Sequence, residues 1–212
     1  MTRLVLVRHG ESAWNAERRV QGQGGTGLSE LGHAQAQATA AVLARLHAGA
    51  TLVTSDLQRC LETAAPLGDI LGVRPRPEPG LRERDFGTWS GMLVTDVAEH
   101  DPQRWERWRR GEDVVAEVGG EDTPTLVARV VATLEALAEQ DGSAVICVTH
   151  GGPIWHGTHA LLDLPPVLGG VANCAITEIE YAPERARLVS WNQVAHLPPP
   201  PHDGEDSPPV GT

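Results

Sequence analysis

Leu4-Val5-Leu6-Val7-Arg8-His9-Gly10-Glu11-Ser12 decides how this 212-residue chain is read. Four apolar residues without alternation predict a strand buried on both faces, the habit of parallel sheets covered by helices. His9 then stands where that strand runs out into a loop. In open α/β sheets the ligand crevice lies beyond the carboxyl ends of the strands, and the N–H groups of such a loop and of the helix after it favour an anion. A second stretch repeats the arrangement: Ala144-Val145-Ile146-Cys147-Val148-Thr149 leads into His150-Gly151-Gly152-Pro153. Two histidines delivered in the same way point to one shared site.

Outward from these strands, helices and strands alternate. A glycine-rich stretch from Gly22 to Gly27 precedes Ser29, which caps a helix from Glu30 to Leu46 with Leu31, Ala34, Ala38 and Val42 turned inward. Thr51-Leu52-Val53-Thr54 reads as a short buried strand. Ser55 and Asp56 follow as caps of a helix reaching Leu71, which puts Arg59 near the positive end of its dipole. Pro75 to Pro79 is extended or turning. Asp101-Pro102 opens a short helix through Arg110, Thr123-Pro124 one to about Glu139, and Pro153 one to Leu162. Ala175 to Tyr181 and Arg187 to Trp191 read as an antiparallel pair. The alternation predicts a three-layer α/β/α sandwich on a mostly parallel sheet, one domain over residues 1–197. Residues 198–212 are rich in Pro, Asp, Glu, Gly and Ser and read as a disordered acidic tail.

Composition narrows the partners. The chain is 41% hydrophobic, enough for one sizeable core, and carries a formal charge of -11. That balance argues against nucleic acid, which needs a net basic face. All 17 basic residues are arginine, so any anion clamp here uses the bidentate guanidinium. The three cysteines, Cys60, Cys147 and Cys174, lack metal or redox spacing and read as reduced, buried thiols. With no apolar run near the roughly 20 residues of a membrane span, a soluble cytoplasmic protein is expected.

Four stretches in order carry a resemblance: Arg8-His9-Gly10-Glu11-Ser12, Ser55 through Ala64 around Arg59, Leu81-Arg82-Glu83-Arg84-Asp85-Phe86-Gly87, and Val148-Thr149-His150-Gly151-Gly152. Together they resemble the histidine phosphatase superfamily, the phosphoglycerate mutase-like enzymes, over about Arg3 to Gln193. The resemblance implies a phosphohistidine intermediate with neither metal nor cofactor. It makes His9 the nucleophile, Arg8, Arg59 and His150 the holders of the phosphoryl oxygens, and Glu83 the proton donor. Asn15, Gln21 and the Gly151 N–H fall where the family often contacts phosphate or substrate. The chemistry fits: a neutral imidazole is a good nucleophile near pH 7, and Glu83 must arrive protonated to release an alkoxide as an alcohol.

Bland readings stand beside these. Asp85, two residues from Glu83, reaches the same side of an extended segment and competes for the donor role. Cys60 and Cys147 read as small buried hydrophobes. His156 and His159, three apart on a helix, lack a third metal ligand and read as helix-face residues. Gly25 stands where several relatives carry aspartate, and Gly119-Gly120-Glu121-Asp122 where they have Gly-Gly-Glu-Ser, a change that keeps a capping side chain. Gly151 after His150 separates the chain from the family's second branch, which has an aspartate donor there. Between Glu83 and His150 the chain lacks the longer, lysine-bearing insertion of the mutases, which favours hydrolysis over return of the phosphoryl group. Trp105 and Trp108 share a helix face that packs onto the domain or, with the neighbouring arginines, walls a substrate pocket. The expected enzyme is a phosphomonoesterase acting on small phosphorylated metabolites, sugar or glyceryl phosphates among them. Relatives often pair, which leaves a homodimer open. The readings outside this are a primed mutase and a silent phosphoester-binding module.

Overall fold

The computed structural model describes residues 1–140 and 144–198. The proposed tail lies outside the described residues from position 199 onward. Strands β1 (Thr2–Arg8), β2 (Thr51–Thr54), β3 (Arg76–Pro77), β4 (Ala144–Thr149), β5 (Ile176–Ala182) and β6 (Arg185–Gln193) form one sheet in the order β3-β2-β4-β1-β5-β6. The first four run parallel to their neighbours, and β5 and β6 join antiparallel at one side. Helices are α1 (Ala13–Ala16), α2 (Glu30–Leu46), α3 (Gln58–Leu71), α4 (Val94–His100), α5 (Pro102–Arg109), α6 (Thr123–Gln140) and α7 (Gly151–Leu161).

The pleat of β1 explains the three layers. Leu4 and Leu6 join Val145 and Cys147 of β4 against Leu126, Val130 and Leu134 of α6 and Ile154 of α7. Val5 and Val7 join Ile146 and Val148 on the other face, against Ala40 and Leu43 of α2 and Cys60, Ala64 and Leu67 of α3. Each such side chain contributes about 1.5–3 kcal/mol on leaving water, so a continuous apolar run is what a doubly covered strand requires. The order β2-β4-β1 has a functional consequence. It sets the ends of three adjacent parallel strands side by side, and those ends carry Arg59, His150 and His9.

Several sequence expectations hold to the residue. Ser29 caps α2 by accepting from Gly32 N at 3.0 Å, and Asp101 caps α5 by accepting from Arg104 N at 3.2 Å. Asp122 accepts from Thr125 N at 2.7 Å, so aspartate does cap α6 in place of serine.

Other expectations are corrected. The buried face of α2 is Gly32, Ala36, Thr39, Ala40 and Leu43, whereas Leu31, Ala38 and Val42 are half-buried and Ala34 is exposed. Close backbone approach sets that rotation: a Cβ on Gly32 would lie 2.0 Å from Glu11 O, so only glycine can face the His9 loop there. Helix α3 begins at Gln58 after Leu57 with no side-chain cap, because Asp56 pairs with Arg82 at 2.5–2.7 Å and the Ser55 hydroxyl meets His150. Helix α7 starts at Gly151, with Pro153 in its first turn, and β6 begins two residues before the expected Arg187. The short helices α1 and α4 carried too little periodicity to be read.

Residues 86–118 pack on Val20 in a small third cluster of Val20, Trp89, Val97, Val114 and Val118, with Phe86, Trp105 and Trp108 against it. Trp108 contacts the rings of Trp89, Trp105 and Phe86 at centroid distances of 5.7, 5.0 and 6.2 Å. The two tryptophans of α5 therefore seat this segment. No helix among the described residues is long and apolar enough to cross a membrane.

Candidate active site

His9 follows the last residue of β1 and is 2% exposed. Its N–H donates to Thr149 O at 2.9 Å, which ties it to the neighbouring strand end. Its Nδ1 lies 2.7 Å from Gly10 O; a carbonyl only accepts, so Nδ1 carries the proton and Nε2 keeps its lone pair. Burial chiefly, then Arg59 and Arg8, holds the His9 pKa well below the usual histidine value. The ring is thus neutral at physiological pH, with an unprotonated nitrogen that accepts from Arg59 Nε.

Arg59, in the first turn of α3, is 2% exposed and held on three sides. Its Nη1 and Nη2 donate to Gly24 O and Gly22 O at 2.8 and 2.7 Å, and its Nε lies 3.2 Å from both His9 Nε2 and His150 Nδ1. The glycine-rich loop thus serves as a bracket for a buried cation. Gly25 has φ +116°, and a Cβ there would lie 3.2 Å from Gln21 Oε1, 3.3 Å from Arg59 Nη1 and 3.4 Å from Trp14. That conformation strains any L side chain, so glycine suits the position.

His150 is fully buried at the N-cap of α7. Nδ1 accepts from Arg59, so Nε2 bears the proton and donates to Ser55 Oγ at 2.9 Å. The Cys60 thiol sits 3.4 Å from the same Nε2. Burial, followed by Arg59, pushes the His150 pKa well below its ordinary value, and burial pushes the Cys60 thiol up. Cys60 is therefore an inert packing neighbour, as its sequence context suggested.

Arg8 completes a cationic wall. Its Nη1 donates to Val171 O at 2.5 Å, while its Nε is buried with no hydrogen-bond partner among the described residues. A buried unsatisfied donor on a cation is costly, and an anion placed there would satisfy it. The backbone N–H of Gly151 opens α7 beside it: a Cβ on Gly151 would lie 3.7 Å from Arg8 Nε.

Glu83 lies between two fixed N–H groups, Arg84 N at 2.9 Å from Oε1 and Gly152 N at 3.4 Å from Oε2. It faces the α7 N-terminus and is close enough to Arg8 to stabilise that cation. Asp85 Oδ1 instead accepts from Gly87 N at 2.9 Å, closing a turn. Of the two carboxylates, it is Glu83 that faces the α7 N-terminus and the cations Arg8 and Arg59.

Asn15 and Gln21 form the rim. Asn15 Oδ1 accepts from Ser12 N at 3.2 Å and Asn15 N donates to Ser12 Oγ at 3.1 Å in a capping box of α1, and the Ser12 hydroxyl donates to Gln21 Oε1 at 2.9 Å. Their oxygens are engaged within the protein, with Gln21 buried and Asn15 half-buried. Sequence reasoning missed Asn173, whose Nδ2 holds His9 O at 3.0 Å and Asn15 Oδ1 at 3.3 Å, and also Ser55 as the partner of His150. Asn173 carries no local signal because it comes from the loop before β5.

Trp105 and Trp108 pack onto the domain, and the arginines of α5 are paired with nearby carboxylates. Arg104 and Arg107 pair with Glu117, Arg107 and Arg110 with Glu112, and Arg109 with Glu106. His159 donates from Nδ1 to Trp155 O at 2.7 Å and accepts from Leu168 N at 3.4 Å, and His156 packs on Trp155 with its pKa pulled by burial to about 4. Among the described residues no group of three or more His, Cys, Asp or Glu side chains could hold a metal ion.

The histidine phosphatase superfamily (branch 1) matches residues 4–194 of the chain. A glucosyl-3-phosphoglycerate phosphatase of Mycobacterium tuberculosis is 38% identical over 217 residues, covering 92% of this chain and 96% of its own. The metal-independent phosphoserine phosphatase of Arabidopsis thaliana is 32% identical over 200 residues, covering 93% of this chain and 84% of its own. The solved structure of a mycobacterial glucosyl-3-phosphoglycerate phosphatase with VO3 matches with a TM-score of 0.83 at 35% identity, over 92% of this chain and 100% of that one. These relatives are phosphatases, so the enzyme class expected from the sequence, a phosphomonoester hydrolase, stands. The chain belongs to the histidine phosphatase superfamily, branch 1.

Proposed function

We propose that this chain hydrolyses phosphomonoesters of small metabolites, independently of metal, through a phosphohistidine at His9. The observation that carries this reading is the tautomer of His9: Nδ1–H is fixed on Gly10 O, and the unprotonated Nε2 accepts from the buried Arg59 Nε at 3.2 Å, beside the cation that would hold the phosphate. Nε2 attacks phosphorus, the P–O bond to the alcohol breaks, and Glu83 delivers its proton to the leaving oxygen. Water then loses a proton to the Glu83 carboxylate and attacks phosphorus, and the P–N bond electrons return to Nε2. Arg8, Arg59 and the Gly151 N–H stabilise the phosphoryl oxygens as charge shifts, the main contribution a protein makes to such transfers, and His150, whose Nδ1 accepts from Arg59 Nε, holds that clamp in place. Asn15 and Gln21 offer their amide nitrogens to the bound phosphate or its neighbour.

Sugar and glyceryl phosphates are the favoured substrates. A glucosylated phosphoglycerate is the substrate in the name of one relative, and the pairing of the α5 arginines leaves that helix poorly suited to a large polyanion. A formal charge of -11 and three free cysteines support a cytoplasmic protein that does not bind nucleic acid. A homodimer is the assembly carried by the family resemblance.

The test is phosphate release from a panel of small phosphate esters, with EDTA and without bisphosphoglycerate, comparing wild type with His9→Ala. The expected result is release abolished by the substitution. Release that survives it would sink the reading, and turnover only after a bisphosphate primer, giving an isomer, would replace it with a mutase.

A further inference from the structure

Glu83 lies in a stretch, residues 82–86, with no regular secondary structure, so the sheet does not place it. The backbone polar groups of such a stretch must still be satisfied, and whatever satisfies them fixes the side chain. Here one side chain from α6, the helix packed beside Leu81, ties down the start of the stretch. Arg129 of α6 donates from Nη1 to both Gly80 O and Arg82 O at 2.9 Å. Its Nε and Nη2 form a two-pronged pair with Glu121 at 3.0 and 2.7 Å. Glu121 closes the frame from the far side of Glu83: its carbonyl accepts from Arg84 Nε at 2.6 Å and its N–H donates to Asp85 O at 2.9 Å. Residues 80, 82, 84 and 85 are therefore pinned to one Arg–Glu pair, and Glu83 is the residue left projecting. Gly80 makes room for it, since a Cβ there would lie 2.1 Å from Thr133 Oγ1, one turn along α6 from Arg129.

We infer that Arg129, locked by Glu121, is a positioning residue that aims the Glu83 carboxyl at the leaving-group oxygen. This rests on the proposed role of Glu83 as proton donor. Arg129 touches no reacting atom, and its four hydrogen bonds are all to the frame. Lysine keeps the charge but cannot make the planar fork and the two carbonyl bonds together. A donor displaced by about an ångström loses much of its effect, because proton transfer and positioning are steep in distance.

The readout is leaving-group dependence, which a merely structural role would not move. In kcat/KM, which reports steps through departure of the alcohol, an alkyl phosphate needs Glu83's proton, whereas p-nitrophenyl phosphate departs largely without one. For Arg129→Lys the expected result is a fall of about tenfold or more on a glyceryl phosphate and less than about threefold on p-nitrophenyl phosphate, against about a hundredfold or more on the alkyl ester for Glu83→Gln. In a Glu83→Gln background, adding Arg129→Lys should leave the alkyl-to-aryl ratio unchanged. An equal fall on both esters, no fall on either, or a ratio that drops further in the double variant would overturn the inference. If Glu83→Gln itself does not discriminate between the esters, the donor reading of Glu83 fails. Should Arg129→Lys not fold, Glu121→Gln, which weakens the lock and leaves Arg129 in place, is held to the same ratio: a selective alkyl loss supports the inference and an unselective one overturns it.

Discussion

Acid should unfold this protein through its two site histidines. His9 and His150 are 2% and 0% exposed and flank the Arg59 guanidinium, so the fold keeps both neutral while the unfolded chain is free to protonate them near pH 6.5. The folded pKa lies below the unfolded one, so the unfolded state binds more protons and stability falls as pH drops below about 6.5. The loss continues down to the folded pKa. A ring that stays unprotonated in the fold down to pH 5 costs about 2 kcal/mol between pH 7 and pH 5, the ceiling for either histidine. The assay is urea unfolding at half-unit steps of pH, for wild type and for His150→Asn. Other titrating groups, among them His156 with its pKa near 4, contribute to both proteins and largely cancel in the difference. The variant should lose about 2 kcal/mol less than wild type over that range. Identical pH slopes would show that His150 is not held neutral and would refute the electrostatic account of the site.

Three more perturbations test separate parts of the structure. Arg59→Lys keeps the charge but gives up the fork to Gly22 and Gly24 and the Nε–H between the two rings, and turnover should fall about a hundredfold or more in the phosphate-release assay. Gly32→Ala places a Cβ 2.0 Å from Glu11 O and should cost about 2–3 kcal/mol, seen as a Tm lower by roughly 5–10 °C. A Tm within a degree of wild type would mean that α2 does not press on the His9 loop. Trp108→Ala removes the ring shared by Trp89, Trp105 and Phe86, and about 3 kcal/mol of local packing with it, so limited proteolysis should cut residues 93–118 faster than in wild type.

The sequence carried the sheet and the site unequally. Apolar runs such as Leu4–Val7 and Val145–Val148 reveal doubly covered strands because burial on both faces leaves no polar alternation. Histidines at the ends of such runs, and an arginine in the first turn after a third, were legible because strand ends in this topology converge. The inward face of α2 was misjudged, since a glycine contact with Glu11 and not side-chain hydrophobicity sets its rotation. Ser55 looked like a helix cap and is the partner of His150, a bond between residues 95 positions apart that no local pattern encodes. Asn173 and Arg129 were invisible for the same reason: each acts on backbone carbonyls far away in sequence. The arginines of α5 looked like a ligand surface because their acidic partners, Glu112 and Glu117, come from the next loop.

The central claim is a covalent bond between phosphorus and His9 Nε2. Mixing the enzyme with a phosphate ester carrying labelled phosphorus, quenching within milliseconds and mapping the label by mass spectrometry tests it directly. The account predicts a base-stable, acid-labile phosphoryl group on the peptide containing His9, absent in His9→Ala and longer-lived in Glu83→Gln, where water lacks its base. Label on another residue, or full turnover with no labelled protein at any quench time, would contradict it.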